Sequence, residues 1–169
     1  MALSDAGPPA PPQHRGDIEE VDMYDEHAAL DHSTVGDVMH HGIVTCDVDS
    51  PLGAVARMMA AHRIHCVVVR NEAAAWTERP GAGLWGVISD LDLVRILVTD
   101  GLVGRTAGQS ATTPAVVVGA ADPVRHAAEL MADRDVTHLV VVDHASKPVG
   151  ILSTLDVAHA VAEPAYARR

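Results

Sequence analysis

The sequence is poor in aromatic residues and in cations. Its 169 residues include no Phe, two Trp and two Tyr, and 23 Asp and Glu outnumber 12 Lys and Arg, for a formal net charge of −11. Proteins that bind nucleic acid need a positive field for the phosphates and ring faces on which bases stack. The scarcity of both excludes nucleic acid as an expected partner.

Cysteines and long apolar runs are scarce as well. Cys46 and Cys66 are the two cysteines, too few for a disulfide framework, so we expect a reducing compartment. No apolar run approaches the roughly 18–20 residues that span a bilayer, and Met1 is not followed by a basic and then apolar signal segment. We therefore expect a cytoplasmic protein with no membrane partner.

What the sequence does have is enough apolar residues for a core. Hydrophobic residues make up 48% of the chain. At about 100–200 residues per domain, the length fits one compact domain or two small ones. A multidomain enzyme is excluded.

Residues 1–33 differ in composition from the rest. They are rich in Pro and hold eight Asp and Glu against Arg15 alone, which places −7 of the charge there and leaves −4 on residues 34–169. Such a composition cannot bury enough apolar surface to fold alone. We predict an acidic, flexible N-terminal tail.

The remainder is a tandem repeat, divided into residues 34–104 and 105–169. The aligned segments are 34–39 with 106–111 and 64–69 with 136–141 at a spacing of 72, and 86–92 with 150–156 at a spacing of 64. The spacing falls from 72 to 64 because the first repeat has a longer connection before its last aligned segment. That connection contains Trp76 and ends at Trp85. We expect Trp85 to pack at the start of its strand, and leave open whether Trp76 covers a loop or contacts a partner.

Each repeat predicts the order strand, helix, strand, strand, helix, which is a mixed α+β fold. The first strands are expected at 43–45 and 115–118. Ser50 and Asp122 should then cap the following helices, with a Pro at the first helical position of each. Helical periodicity and a β-branched run follow in both copies.

The most specific feature is Gly86-Val-Ile-Ser89-x-x-Asp92 and its copy, Gly150-Ile-Leu-Ser153-x-x-Asp156. Ser followed by an acid three residues later is typical of a capping box at a helix start. A strand-to-helix turn with Gly upstream also suits a nucleotide, because helix-start N–H groups and a hydroxyl can meet phosphate and an Asp can accept ribose hydroxyls. Both interpretations stay open, and the repetition favours the second.

These two segments resemble the signature of the cystathionine-β-synthase (CBS) domain, Gly-hydrophobic-hydrophobic-Ser/Thr-x-x-Asp-hydrophobic, and Val35-Gly-Asp-Val-Met39 resembles the start of that domain. The resemblance covers residues 34–162. The family occurs as tandem pairs called Bateman modules. It implies two β-α-β-β-α repeats packed sheet to sheet with pseudo-twofold symmetry, and two clefts for AMP, ADP, ATP or S-adenosylmethionine, with no required cofactor.

The resemblance also implies residue roles. The ribose would be held by Asp92 and Asp156, and phosphate would meet Ser89 or Ser153, with Thr154 beside the latter. The residues expected around the adenine are Val44, Thr45, Val116, Val117, His65, Cys66, Thr137 and His138. Arg95 and His159 would either add positive charge or simply be exposed helix residues.

Asp90 is the departure from the family pattern that bears on ligand choice. A carboxylate directly after Ser89 disfavours phosphate in that cleft. We therefore expect the cleft of Ser153 and Asp156 to be the better nucleotide site.

Three functions follow as hypotheses. The first is a non-enzymatic sensor of adenosyl ligands, a homodimer packed through its helices that acts on a regulated protein. The second is a ligand-free interaction or oligomerisation module whose acidic tail docks a basic partner. The third, an enzyme using Cys66 or a His pair, lacks a pattern of nucleophile, base and orienting residue. The eleven His lack zinc-ligand spacing, so we expect no metal.

Overall fold

The computed structural model describes residues 30, 32–71 and 83–162, so the tail before residue 30 and Trp76 lie outside the described residues. Six helices and seven strands are formed in this part of the chain. The helices are α1 (Val35–Val38), α2 (Leu52–His62), α3 (Asp90–Thr99), α4 (Ala107–Ser110), α5 (Val124–Arg134) and α6 (Thr154–Ala162). The strands are β1 (His40–His41), β2 (Thr45–Asp47), β3 (Cys66–Arg70), β4 (Leu84–Ser89), β5 (Val117–Gly119), β6 (His138–Val142) and β7 (Pro148–Ser153).

The strands form two sheets, one for each repeat. The first has the order β2-β3-β4 and the second the order β1-β7-β6-β5. In the first sheet, β2 runs parallel to β3, and β3 pairs antiparallel with β4. In the second sheet, β5 runs parallel to β6, and β6 pairs antiparallel with β7. The predicted order of strand, helix, strand, strand, helix in each repeat is confirmed, and so is the mixed α/β class.

The segment that opens each repeat packs on the other repeat. Strand β1 pairs antiparallel with β7, with His40 opposite Ile151, and Thr112 forms a bridge to Val87 of β4. We call residues 34–41 and 106–112 the opening segments. Val35 is buried in the core of the second repeat and Ala107 in the core of the first. The two repeats therefore complete each other's sheets and cores.

The two sheets face each other across a third apolar cluster. Cys66 and Val68 of β3 meet Val140 of β6 there, together with Val87 of β4. Central strands that are covered on both faces need apolar residues at almost every position, and β3 and β6 are each apolar at four of their five positions. The expected sheet-to-sheet packing is confirmed.

The prediction that Ser50 and Asp122 cap the next helices is wrong. Helices α2 and α5 begin at Leu52 and Val124, and the preceding prolines occupy the cap position. The hydroxyl of Ser50 instead accepts a hydrogen bond from the N–H of Asp47 (3.2 Å), and the carboxylate of Asp122 accepts one from Gly119 (2.8 Å). These side chains close the turn after the strand. They are therefore not available to cap the helix, and a proline occupies the N-cap position.

Candidate functional site

Both Ser-x-x-Asp segments form capping boxes with nearly the same geometry. Asp92 Oδ2 accepts bonds from the Ser89 N–H (2.8 Å) and hydroxyl (2.7 Å), and the Asp92 N–H donates back to the Ser89 hydroxyl (3.2 Å). In the second repeat the corresponding distances between Ser153 and Asp156 are 2.7, 2.7 and 3.3 Å. The interpretation of the motif as a capping box is therefore confirmed in both copies. It leaves one carboxylate oxygen of each Asp outside the bonds to Ser.

Each capping box lines a cleft between the repeats, and the two clefts differ in size. The cleft at Ser153 and Asp156, which we call the Ser153 cleft, has a volume of about 670 Å³. The cleft at Ser89 and Asp92, the Ser89 cleft, has about 130 Å³. Sites for small molecules usually measure about 300–1,000 Å³, so only the Ser153 cleft is in the usual range.

Most of the predicted site residues line these clefts. Around the Ser153 cleft the structure places Ser153, Thr154, Asp156, His65, Cys66, Thr137 and His138. Around the Ser89 cleft it places Ser89, Asp92, Arg95, Thr137 and His138. Each cleft is built from both repeats, because the capping box of one repeat faces the strand ends of the other.

Three predicted residues line neither cleft. Strand residues alternate between two faces, and of the predicted pairs Val44-Thr45 and Val116-Val117 only Val44 and Val116 line the clefts. Val117 packs against the cluster between the sheets. His159 is exposed on α6 beyond the cleft wall.

The sequence analysis missed His40, whose ring approaches the Ser153 capping box. His40 Nδ1 lies 3.2 Å from Asp156 Oδ1, and the carboxylate is buried while the imidazole is largely exposed. The pairing of β1 with β7 creates this contact. An exchange of strands between repeats leaves no signal in the periodicity of either repeat, so the spacing of residues could not reveal it.

The expectation that Asp90 penalises the Ser89 cleft is wrong. Asp90 lines the Ser153 cleft. Its N–H donates to the carbonyl of His65 (2.8 Å), which continues the pairing of Cys66 with Ser89, and its carboxylate oxygen Oδ2 lies 2.8 Å from Nδ1 of His65. The backbone pairing thus directs this side chain to the opposite cleft from that of the neighbouring Ser89.

Three ionisable groups of the Ser153 cleft, Asp90, His138 and Cys66, have perturbed pKa values. Burial acts to raise the pKa of Asp90, but hydrogen bonds from His65 and from the Leu91 N–H outweigh it and hold the pKa below its usual range. Burial lowers the pKa of His138, partly opposed by the charge of Asp90. Burial, with a contribution from Asp90, raises the pKa of the Cys66 thiol to about 12. At neutral pH Asp90 is charged, His138 is neutral and Cys66 is protonated.

Metal-binding clusters and membrane-spanning helices are both absent from the part of the chain that the structure describes. Within it, no three His, Cys, Asp or Glu side chains converge in a way that could hold a metal ion. Across residues 32–71 and 83–162, every helix is too short or too polar to cross a membrane.

The fold defines a pair of structurally related repeats that enclose two clefts between them. The family model for the CBS domain matches residues 35–99 and 108–163, well over half of the chain. The chain therefore belongs to the CBS domain family and carries a tandem pair, a Bateman module. Such pairs are generally regulatory and non-catalytic. No curated protein matches the chain.

Solved structures share this fold at low sequence identity. The CBS domain of a bacterial CNNM/CorC family Mg²⁺ transporter in complex with ATP is 20% identical, with 82% of this chain and 93% of that chain covered and a TM-score of 0.64. The CBS domain pair of protein MJ0100 with 5′-methylthioadenosine and S-adenosyl-L-methionine is also 20% identical, with 75% and 94% covered and a TM-score of 0.62. Hypoxic Response Protein I with two coordinated zinc ions is 24% identical, with 75% and 98% covered and a TM-score of 0.58.

Proposed function

We propose that this protein is a regulatory module that binds an adenosyl ligand in the Ser153 cleft. The observation that carries the proposal is the cleft itself: about 670 Å³ of space beside a buried carboxylate, Asp156, and the hydroxyl of Ser153. That combination of volume, apolar wall and few polar groups is typical of a small-molecule site. CBS domain pairs solved with ATP, and with 5′-methylthioadenosine and S-adenosylmethionine, support the ligand class.

The roles of the lining residues follow from their chemistry. Asp156 Oδ1 is the acceptor for the ribose hydroxyls, since Oδ2 is already bonded to Ser153. The adenine lies between Ile43, Val44 and Ile64, which supply apolar surface and backbone groups. The 5′ substituent of the ribose lies towards the N-terminus of α6 and Thr154. We assign no catalytic residue, because the thiol of Cys66 is protonated at neutral pH.

One ligand per chain is the expected stoichiometry. The Ser89 cleft has the same capping box and a cation, Arg95, but at about 130 Å³ it is smaller than usual ligand sites. Binding acts by favouring one arrangement of the two repeats, since a ligand shifts an equilibrium only through different affinities for its states. The response then passes to a regulated protein.

We also propose that the module is a homodimer. Helix α3 exposes an apolar face at Leu91, Val94, Leu97 and Val98, and Leu155 of α6 is exposed as well. Isolated apolar residues are common on protein surfaces, but a contiguous exposed face marks an interaction site. Sedimentation of the wild type and of Val98→Glu tests this: a dimer converted to a monomer is expected, and a monomeric wild type would overturn it. The free, buried thiols of Cys46 and Cys66 support a reducing, cytoplasmic setting.

Isothermal titration calorimetry tests the main proposal. Purified protein is titrated with 5′-methylthioadenosine, S-adenosylmethionine, AMP and ATP, in the wild type and in Asp156→Ala. At least one ligand should bind below millimolar concentration with one site per chain, and Asp156→Ala should abolish the binding. Asp92→Ala is the matched control and should retain it. Failure of all four ligands to bind folded wild-type protein would overturn the proposal.

A further inference from the structure

The Ser153 cleft contains a histidine–carboxylate pair supplied by the first repeat. His65, in the turn between α2 and β3, and Asp90, the first residue of α3, are joined by the 2.8 Å contact described above, and both side chains are more than half exposed to the cleft and solvent. An exposed pair of this kind adds little to stability. Because the pair lies in the wall of the proposed ligand site, its charge can affect which ligands bind.

Several elements of both repeats contribute the other charged and titratable groups near this pair. Asp156 of α6 and Asp92 of α3 are the remaining acids that act on His138, and Arg63, at the end of α2, is the cation of the cleft wall. The further histidines lining the cleft are His40, His41 and His138. With neutral histidines, the two lining carboxylates, Asp90 and Asp156, outnumber the one permanent cation.

We propose that the Asp90–His65 pair selects adenosyl ligands by charge, so that the cleft accepts neutral or cationic 5′ substituents at neutral pH and accepts phosphorylated ones only with uptake of a proton. This inference rests on the proposed function, because it concerns the same cleft and the same ligand class. It adds the feature that decides among the candidate ligands.

Asp90 is the group that disfavours a bound anion in this cleft. Its carboxylate is charged throughout the physiological range, and an anion placed within about 4–6 Å of it is disfavoured. An uncharged thioether or a sulfonium in the same position meets no such repulsion. At neutral pH the cleft therefore favours ligands without phosphate.

Protonation of the pair reverses this preference. Imidazole changes charge within the physiological range, and a neighbouring carboxylate and a bound phosphate both favour its cationic form. His65 then neutralises Asp90 and presents positive charge to the phosphate. His138 cannot easily take over this role, because its burial disfavours the charged form. Proton uptake on phosphate binding is the expected signature.

The second repeat provides an internal comparison. The positions equivalent to His65 and Asp90 are Thr137 and Thr154, and the N–H of Thr154 donates to the carbonyl of Thr137 (3.0 Å) as that of Asp90 does to His65 (2.8 Å). The second repeat thus has the same backbone hydrogen bond as the first but lacks the histidine–carboxylate pair. The pair is thus a property of the Ser153 cleft that the common fold does not require.

The test uses two probes that differ in fixed charge. 5′-Methylthioadenosine is uncharged, and adenosine 5′-(methyl phosphate) is a diester whose single negative charge does not titrate, unlike a phosphomonoester with its pKa near about 6. Calorimetry at about pH 8 and about pH 6 compares the wild type with Asp90→Asn and His65→Gln. Asp133→Asn, an exposed acid on α5 that lines neither cleft, controls for net charge.

The wild type should bind 5′-methylthioadenosine equally at both pH values, and should bind the methyl phosphate about tenfold tighter at the lower pH, the change that one unit of pKa shift produces. Asp90→Asn should gain about the same factor at the higher pH, and His65→Gln should lose the dependence on pH. Asp133→Asn should match the wild type.

Two adverse outcomes are distinct. If the methyl phosphate binds with the same affinity at both pH values, or if Asp90→Asn binds it as weakly as the wild type, charge selection is wrong while binding of 5′-methylthioadenosine still supports the proposed function. If 5′-methylthioadenosine itself does not bind the folded wild type at either pH, the proposed site fails and the inference fails with it.

Discussion

Nδ1 of His40 lies 3.2 Å from Oδ1 of Asp156, the carboxylate oxygen that does not accept the hydrogen bonds of Ser153. The imidazole therefore occupies the position that ribose hydroxyls would take. Its side chain is 79% exposed, so it can move aside at small cost. In the proposed binding mode, a ligand must displace this contact before Asp156 can accept bonds from the ribose hydroxyls.

Removal of His40 should therefore strengthen binding. For His40→Ala we expect up to about a fivefold gain in affinity for 5′-methylthioadenosine, because a contact made by a largely exposed side chain is worth little. Calorimetry measures the gain. Thr112→Ala, at the equivalent position of the second repeat, should leave the affinity unchanged. A loss of affinity in His40→Ala would show that the imidazole helps to hold the ligand.

The two capping boxes should contribute similarly to stability and differently to binding. Asp92→Ala and Asp156→Ala each remove the acceptor for the Ser N–H and hydroxyl, and each should lower the free energy of unfolding by about 1 kcal/mol. Urea unfolding measures the loss. Only Asp156→Ala should abolish ligand binding. Equal losses of affinity in both variants would mean that the Ser89 cleft is occupied as well.

Gly150 and Gly86 should tolerate no larger residue, because the opening segments pass directly over them. A Cβ at Gly150 would overlap the carbonyl oxygen of His40, and one at Gly86 would overlap that of Thr112. Each Ala substitution should lower the free energy of unfolding by about 1–3 kcal/mol, the usual cost of overpacking.

Gly53→Ala is the matched control for these glycines. Gly53 lies within α2, where an added Cβ meets only the end of the Arg57 side chain at 3.8 Å. Replacement of a helical glycine by alanine should raise the free energy of unfolding by about 0.5–1 kcal/mol. If Gly150→Ala and Gly53→Ala gave the same urea midpoint, the close approach of β1 to Gly150 of β7 would be wrong.

The buried His138 should make stability depend on pH. Its pKa is lower in the folded protein than the ordinary value of 6.5, so the unfolded chain binds more protons as the pH falls through that value. The free energy of unfolding should therefore decrease on acidification below about pH 6.5. His138→Gln should reduce this decrease.

Urea unfolding of both proteins between about pH 7.5 and pH 5 measures the effect. Asp90 does not interfere, because its lowered pKa contributes stability that is lost only at more acidic pH, below the ordinary carboxyl value of 3.8. A decrease of the same size in wild type and His138→Gln would exclude His138 as the cause.

The sequence predicted the order of elements and the capping boxes because both are local. Helical periodicity, β-branched runs and the Ser-x-x-Asp spacing are set within a few residues. The helix starts after Ser50 and Asp122 were displaced by one residue, since those side chains bond to the turn before them.

The allocation of residues to clefts could not be predicted in full, because it depends on contacts between repeats. His40 reaches Asp156 through a strand exchange, and Asp90 turns away from the cleft of its neighbour Ser89 through pairing with His65. Of the predicted pairs Val44-Thr45 and Val116-Val117, only the first residue of each lines a cleft, because successive residues of an extended chain point to opposite faces.

Shared construction of the clefts has a consequence for how the two can diverge. Two separate copies of one repeat, assembled as a symmetric pair, would have identical clefts, since every cleft takes residues from both copies. In a single chain each position can change in one copy alone, as His40 has relative to Thr112 and Asp90 relative to Thr154. Covalent linkage thus lets one cleft specialise while its twin keeps the same scaffold.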